Sequence, residues 1–263
     1  MHVHFLDPYQ DLRSPVHALD ARVKLVLALC FILVTSLTPN GAWPVLIMLF
    51  ALSISVILLA GLELGYVLRR AVLVAPFALA AVPLIFTAPG PRIEIGATGI
   101  ALSEPGIVRM LSVLAKSYVS MQMAVVLAST TPFPALLQAM RAIRLPRLLV
   151  AVFGLMWRYL FVLVDEVMRL MRARDSRSGA LDPAQRVGGS IAWRARTAGG
   201  MAGNLFMRSF ERGDRIYDAM AARGYDGEVR TLSHPALSRA SAIVLVCSLL
   251  LLALLFAASR LFA

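Results

Sequence analysis

The sequence is poor in cysteine and in acidic residues, and it lacks the short motifs that mark enzymes. The two cysteines, Cys30 and Cys247, lie in apolar runs without disulfide or zinc spacing, so we interpret them as small buried side chains. There is no HExxH motif, no glycine-rich phosphate loop followed by Lys-Ser or Lys-Thr, and no plausible catalytic triad. We therefore expect that the chain by itself neither hydrolyses ATP nor binds a metal or other cofactor, and that any ATP is handled by another chain.

Apolar residues are abundant, at 59% of 263 residues with a mean hydropathy of +0.76. The net charge is +11, from 26 basic and 15 acidic residues. Basic soluble proteins of this size often bind nucleic acid. Cationic charge beside apolar spans is instead typical of the cytoplasmic faces of membrane proteins. We expect a protein of the lipid bilayer that binds no nucleic acid. Its polar first twenty residues predict that there is no cleavable signal peptide.

Five segments are apolar enough to be candidate membrane spans, since a helix needs about 20 apolar residues to cross ~30 Å of hydrocarbon. They run over about 23–37, 43–61, 71–88, 107–129 and 242–258. The first is short, and the third contains Pro76 and Pro83, which kink a span but are tolerated where neighbouring helices cover the freed carbonyls. The sequence predicts an all-α polytopic membrane protein with about five transmembrane helices and a cytoplasmic helical insert.

The basic residues of the short loops predict the orientation. They precede the first span and follow the second and the fourth, at Arg13, Arg22, Lys24, Arg69, Arg70, Arg141, Arg144 and Arg147. The N-terminus is therefore expected in the cytoplasm and the C-terminus outside, in a multi-pass protein of the cell (inner) membrane. We divide the chain into a membrane domain of four spans (1–131), cytoplasmic or interfacial coupling helices (132–240) and a C-terminal transmembrane helix (241–263).

Segment 148–164 is apolar, but we predict that it does not cross the membrane. If it did, the four arginines at 169, 172, 174 and 177 would lie outside. Its apolar residues, from Val152 and Met156 to Val167 and Leu170, recur at three- and four-residue steps, the pattern of an amphipathic helix. We therefore place this helix at the inner interface, running from the lipid headgroups into the cytosol.

The insert 132–240 carries 17 arginines against nine acidic residues. Asp182 is expected to cap a helix with Pro183 at its first position. A second helix is predicted from about 201 to 222, with nearby glycines weakening its start. Gly224 suits the left-handed conformation that follows a helix end.

Two similar pieces of the insert carry an alanine followed by an arginine, Ala173-Arg174 and Ala222-Arg223, and we expect each to end an amphipathic helix. A basic residue there is favoured by the helix dipole, by about 0.3–1 kcal/mol, and this alone explains either arginine. As a pair, they favour insertion into a partner's groove, because the small alanine leaves exposed a guanidinium that bonds carboxylates or carbonyls.

These pieces resemble the signatures of the transmembrane (T) subunits of energy-coupling-factor transporters. Ala222-Arg223-Gly224, preceded by Tyr217-Asp218-Ala219-Met220, resembles the second Ala-Arg-Gly signature. Ala173-Arg174-Asp175 resembles the first, with Asp175 where glycine is often found. Segment 14–25 is similar to the family's opening Ser-x-x-His-x-Leu-Asp-x-Arg-x-Lys-Leu, with matches at His17, Leu19, Asp20, Arg22 and Lys24. The lead-in from Leu6 resembles the cobalt-type (CbiQ-like) subunits more than the vitamin-type ones.

The resemblance implies a coupling subunit that is not an enzyme. Such a subunit lies between a dimer of cytosolic ABC-type ATPase subunits, which bind the ATP, and a membrane subunit that binds the substrate. It implies that Arg174 and Arg223 dock coupling helices into grooves of the ATPases of a cobalt or nickel importer. A vitamin-type T subunit is an alternative.

Two other classes stay open, a self-contained secondary transporter and a membrane-anchored protein that binds nucleic acid or lipid through the insert. The first would need facing ionisable groups within the spans, or internal repeats, and neither is convincing here.

Two further sets of polar residues have competing interpretations. His2 and His4 could ligate a divalent metal, but we expect a frayed terminus on the cytoplasmic side. The fourth span carries polar residues that could form a substrate path: Arg109, Lys116, Ser117, Tyr118 and Gln122. We favour contacts with the substrate-binding subunit, or snorkelling of the charges to the interface, because no acidic residue lies inside another span to pair with Lys116.

Overall fold

The computed structural model describes residues 8–74, 76, 79–87, 89, 91–94, 101–177, 190–227 and 237–261, which are mainly helical. The helices are α1 (Pro15–Ala18), α2 (Ala21–Leu37), α3 (Trp43–Ala60), α4 (Leu64–Ala71), α5 (Leu84–Thr87), α6 (Glu104–Thr130), α7 (Phe133–Ala142), α8 (Arg147–Arg177), α9 (Ile191–Ala222) and α10 (Arg239–Ser259). A short antiparallel hairpin of β1 (Arg92–Glu94) and β2 (Ala101–Ser103) precedes α6. The predicted all-α fold class is confirmed.

Among the described residues, four helices are long and apolar enough to cross a membrane, namely α3, α6, α8 and α10. Three of them coincide with the predicted spans 43–61, 107–129 and 242–258. Helix α2 covers the predicted first span and is short, at 17 residues. The protein is therefore a polytopic membrane protein.

The third predicted span is not one continuous helix. After α4, the described residues form a 3₁₀ helix at Val72–Val74, another at Leu79–Ala81, and the single-turn helix α5. Proline lacks the amide hydrogen of a helical hydrogen bond, and its ring clashes with the preceding turn. Pro76 and Pro83 lie among these short pieces, so the described residues of 71–88 do not form the regular kinked helix that we expected, while the crossing of the membrane by this segment stays a prediction.

Helix α8 contains the segment 148–164 that we expect at the inner interface. Its length and composition would allow it to cross a membrane, and large apolar side chains along it are exposed, including Leu148, Val152 and Met156. Such a surface suits lipid or a partner protein in either position. The interfacial placement of 148–164 therefore stays a prediction.

The helices divide into two compact units. One comprises residues 2–143 together with 235–263, and the other comprises residues 144–234. Helix α7 belongs to the first unit because it packs against α2, where Ala139 is fully buried. Compactness does not define a position relative to the bilayer, so the predicted divisions at 131 and 240 stay predictions.

The core of the first unit is built around α6, which packs against α2, α3, α4 and α5, while α10 packs against α2. Phe31 of α2 and Leu49 of α3 are almost completely buried. Their cluster is completed by side chains from four helices, namely Ala28, Val45, Val119, Met123 and Leu252. These contacts hold α2, α3, α6 and α10 of the first unit together.

Candidate functional site: the helix pair of the second unit

Helices α8 and α9 are joined by an ion cluster around Glu166, which is only 8% exposed. On α9, Arg208 Nη1 donates a hydrogen bond to Glu166 Oε1 at 3.1 Å, and Arg212 Nη2 lies 3.9 Å from Oε2. Arg169, one turn further along α8, also binds Oε2. One carboxylate therefore contacts three guanidinium groups, and two of these belong to the other helix.

Apart from this cluster, the described part of the pair has scarcely any buried core. Helix α8 buries Ala151 and Glu166, and no residue of α9 is buried between Ile191 and Ala222. Large apolar side chains on the two helices are exposed instead, among them Met168, Met171, Phe206, Met207 and Phe210. Contiguous exposed apolar surface marks a contact with protein or membrane. The pair therefore offers surface for another chain or for the bilayer.

A cleft of about 760 Å³ lies between α8 and α9 beside the ion cluster. Its walls are formed by Leu170, Ala173, Arg174, Arg177, Trp193, Thr197, Gly200, Met201, Asn204 and Arg208. The predicted docking residue Arg174 has a side chain that is one third exposed, and its Nε lies 3.7 Å from Asp175 Oδ1. Among the described residues that line it, the charged side chains are all arginines, so the cleft is cationic.

The first signature does not end its helix. Helix α8 continues through Asp175 and Ser176 to Arg177, and Ser176 Oγ donates a hydrogen bond to the Ala173 carbonyl at 3.0 Å. Helices commonly stop at a residue in the left-handed conformation, which glycine adopts freely and other L-residues adopt at a cost. With aspartate at this position, the helix propagates. The expectation that α8 ends on Ala173-Arg174 is therefore wrong.

The second signature does end its helix, as predicted. Helix α9 stops at Ala222, Arg223 caps it, and Gly224 has φ of +79°. Tyr225 N donates to the Met220 carbonyl, and Gly224 N donates to the Ala221 carbonyl, both at 3.0 Å. These two hydrogen bonds form a Schellman motif. The motif leaves the side chain of Arg223 exposed at the tip of the helix.

Helix α9 begins about ten residues before the predicted start at 201. Ser190 caps it by accepting a hydrogen bond from Trp193 N at 3.3 Å. The first turns are rich in alanine and arginine, which are strong helix formers, and they carry the helix across the glycines at 199, 200 and 203. The predicted cap at Asp182 lies outside the described residues.

The two signature arginines lie far apart on this pair. Arg174 lines the cleft that α8 forms with residues 193–208 of α9. Arg223 lies 15 to 30 residues further along α9, which at ~1.5 Å per residue is roughly 20–45 Å away. The structure therefore does not bring them together in one site. They are two separate contact points on one helix pair.

The N-terminal signature binds the end of α6. Lys24 Nζ donates hydrogen bonds to the carbonyls of Thr130, at 2.8 Å, and His17, at 3.4 Å. The His17 ring in turn contacts Ser14 Oγ at 2.7 Å and the Gln10 carbonyl at 3.0 Å. The end of a helix leaves carbonyls without intrahelical partners, and Lys24 satisfies one of them. In the first unit, His17 and Lys24 therefore hold the N-terminal segment against α6.

The other signature residues shape the start of α2. Asp20 is the N-cap, and its carboxylate accepts a hydrogen bond from Arg22 N at 2.9 Å while Arg22 Nε lies 4.0 Å away. Leu19 lines an apolar cavity of about 290 Å³ among α2, α3, α6 and α10. Asp20, Arg22 and Leu19 thus help to build the fold of the first unit.

The polar residues of the fourth predicted span make packing contacts. Lys116 Nζ donates to the Thr38 carbonyl, at the end of α2, and to Asn40 Oδ1 at 2.9 Å. Ser53 Oγ of α3 donates to Gln122 Oε1 at 2.6 Å. Tyr118 stacks on Phe50 with ring centroids 6.4 Å apart. These three residues thus have partners within the chain itself, and the contact that we predict between this span and a substrate-binding subunit stays a prediction. Arg109 is exposed, and Ser117 is half-buried.

The sequence analysis missed the ion cluster. Arg208 and Arg212 stand four residues apart on a helix, and Glu166 and Arg169 stand three apart, so each pair faces one way. That spacing was visible in the sequence. Which acidic residue would face the arginines depends on how α8 packs against α9, and no local pattern encodes that packing.

The fold defines the class of this protein, namely a polytopic membrane protein that carries a largely unburied pair of long helices. A family model described as "Cobalt transport protein", CbiQ, matches residues 13–234. The chain belongs to this family.

Individual relatives agree with this assignment. The chain is 32% identical to the cobalt transport protein CbiQ of Rhodobacter capsulatus over 177 residues, which is 66% of this chain and 68% of the relative. It is 25% identical to the energy-coupling factor transporter transmembrane protein EcfT of Staphylococcus aureus over 235 residues, covering 86% of this chain and 85% of the relative. A second CbiQ, from Salmonella typhimurium, is 27% identical over 136 residues, or 52% of this chain and 57% of the relative.

Proposed function

We propose that this chain is the non-catalytic coupling subunit of an ATP-driven energy-coupling-factor importer. It passes the motion of a cytosolic ATPase dimer to a membrane subunit that binds the substrate. The observation that carries this proposal is the helix pair α8 and α9, which buries almost nothing of its own and exposes both apolar side chains and arginines. Such a surface suits a partner protein better than it suits water.

The separation of Arg174 and Arg223 fits a dimeric partner. Two contact points roughly 20–45 Å apart along α9 suit one contact on each of two ATPase subunits better than two contacts in one groove. Each guanidinium offers a planar fork that bonds carboxylates or backbone carbonyls in a groove. Ala173 and Ala222, which precede the arginines, leave room for the partner's surface.

A mechanical route follows from these contacts. When ATP draws the two ATPase subunits together, the helix positions anchored by Arg174 and Arg223 move with them. The two helices then tilt as rigid elements, and the exposed apolar side chains of α8 and α9 pass the tilt to the substrate-binding subunit packed on them. ATP is bound and hydrolysed by the partner subunits.

Cobalt or nickel is the substrate that we propose. Family membership and the CbiQ relatives favour a transition-metal cation. The match to an EcfT over most of both chains supports a second candidate, the T subunit of a vitamin-type importer. Uptake assays with radioactive cobalt and with vitamins, in cells that co-express the partner subunits, separate the two. The positive-inside pattern supports an inner-membrane protein with its N-terminus in the cytoplasm.

The decisive experiment replaces both docking arginines. The double variant Arg174→Ala/Arg223→Ala should lose co-purification with the ATPase and lose uptake, while the membrane fold stays intact. The matched control is Arg172→Ala/Arg215→Ala, which removes the same charge from exposed positions on the same two helices. A docking variant that still binds the ATPase and transports at the control's rate would refute the proposed role of both arginines.

A further inference from the structure

We infer that Glu166 is a positioning residue that sets the spacing of α8 and α9, and thereby the separation of the two docking arginines. This inference rests on the proposed function, because it gives that spacing a role in coupling. Glu166 does not itself contact a partner in the proposal. It acts through the placement of Arg174 and Arg223.

The geometry gives Glu166 a central place in the contact between the helices. Its carboxylate receives Arg208 and Arg212 from α9 and Arg169 from its own helix, and it is 8% exposed. Both carboxylate oxygens are engaged, one by Arg208 and the other by Arg169 and Arg212. An ion contact with several partners on two helices restricts how the helices slide and rotate against each other.

Apolar packing does not provide an alternative restraint of similar strength. In a typical helix pair, a stripe of buried apolar side chains fixes the crossing. Here Ala151 and Glu166 are the buried residues of α8, and no residue is buried along the described length of α9. Apolar side chains of α9 such as Leu205 and Ile216 are only half-buried, so we expect the buried charged contact to contribute strongly to the spacing of the pair.

The charges also predict what happens without the carboxylate. The guanidinium groups of Arg169, Arg208 and Arg212 all lie within hydrogen-bond or ion-pair distance of the Glu166 carboxylate. Without the negative charge of this carboxylate, the three positive groups would repel each other. Arg208 and Arg212 would be pushed away from Arg169, and the helices would separate or move over a wider range. Because the cleft that contains Arg174 lies beside the cluster, its width would change as well.

The first measurement is a distance between α8 and α9 in the full-length chain in lipid nanodiscs. Spin labels are placed on cysteines at two exposed positions, Ser176 and Ala198, after Cys30 and Cys247 have been replaced by alanine. The wild-type background should give one narrow distance distribution. Glu166→Gln, which keeps the shape and removes the charge, should broaden the distribution or shift it to longer distances.

Further variants separate positioning from general damage. Glu166→Asp keeps the charge and should largely restore the narrow distribution. The double variant Arg208→Gln/Arg212→Gln removes the partners on α9 and should reproduce the broadening. Glu211→Gln is the matched control, because it removes an exposed carboxylate from α9, and it should change nothing. An unchanged, narrow distribution in Glu166→Gln would overturn the inference.

The second measurement is uptake per ATP hydrolysed in the complex reconstituted with its ATPase and substrate-binding subunits. Glu166→Gln should retain ATPase binding, since Arg174 and Arg223 remain, but should lose most uptake per ATP. Broadened distances with normal coupling would overturn the functional half of the inference. The proposed function fails in a different experiment, namely if the Arg174→Ala/Arg223→Ala variant still binds the ATPase. That outcome would not change the measured distance between α8 and α9.

Discussion

Lys24 donates a hydrogen bond from Nζ to the carbonyl oxygen of Thr130 at 2.8 Å, across 106 residues of sequence. It joins the start of α2 to the end of α6, the central helix of the first unit. The lysine is 8% exposed, so its ammonium group is nearly withdrawn from solvent. This residue of the N-terminal signature thus has a structural role in the membrane unit.

Replacing Lys24 should destabilise the first unit. Lys24→Met keeps the apolar stem and removes the ammonium group, which leaves the Thr130 carbonyl without this donor. An unsatisfied buried acceptor costs about 1–3 kcal/mol. We expect the detergent-solubilised variant to unfold at a lower midpoint temperature than the wild type. Size-exclusion chromatography of heated samples measures the fraction that stays folded. Arg13→Met, at an exposed position, is the control. Equal midpoints for the two variants would contradict the structural role.

Replacement by alanine should change the stability of α9 in opposite directions at two glycines, one inside the helix and one just after its end. Gly224 has φ of +79°, where an alanine side chain is strained, so Gly224→Ala should loosen the last turn by about 1 kcal/mol. Gly203 lies within the helix with open space around it, so Gly203→Ala should tighten the helix by about 0.5–1 kcal/mol. Hydrogen–deuterium exchange of the α9 amides measures both effects. The same sign for both variants would refute this account.

Segment 148–164 should stay on the inner side of the membrane. Cysteines placed at Ser176 and Ser190 in a cysteine-free background should react with a membrane-impermeant thiol reagent only after the inner face is opened. Leu261→Cys, near the predicted outer end, should react in intact cells and serves as the control. Labelling at Ser176 from outside would show that α8 crosses the bilayer, and would contradict the predicted placement of residues 148–164 on the inner side.

The paired histidines at the N-terminus should not be needed for transport. We predict that replacing His2 and His4 by alanine leaves cobalt uptake near normal in cells that co-express the ATPase and substrate-binding subunits. The reason is that substrate capture belongs to another subunit in the proposed complex. Loss of uptake with the complex still assembled would indicate that these histidines form a metal-binding site needed for transport.

Helix ends show what could and could not be predicted locally. The end of α9 was predictable, because Gly224 supplies the left-handed residue that a Schellman motif needs. The end of α8 was placed too early, because the resemblance to an Ala-Arg-Gly signature outweighed the presence of Asp175. The residue type was the better guide, since aspartate adopts the left-handed conformation less readily than glycine does.

Prolines and caps gave a second contrast. Pro76 and Pro83 were expected only to kink a span, but the described residues around them form short 3₁₀ and α-helical pieces. The start of α9 was missed because glycines suggested a weak beginning, whereas Ser190 and the following alanines and arginines favour a helix. In segment 71–88 and at the start of α9, residues that favour a helix lie beside residues that break one. The net effect of such a mixture is harder to predict than the effect of any single residue.

By itself, the sequence determined that this is a helical membrane protein with cationic surfaces, because hydropathy, charge and helix-ending residues act over one helix turn or one span. Only the tertiary structure decided that Lys24 binds Thr130 and that Glu166 binds Arg208. Such partners are separated widely in sequence, and their meeting depends on how whole helices pack. The packing of α8 on α9 therefore placed a single buried carboxylate where the sequence showed only scattered charges.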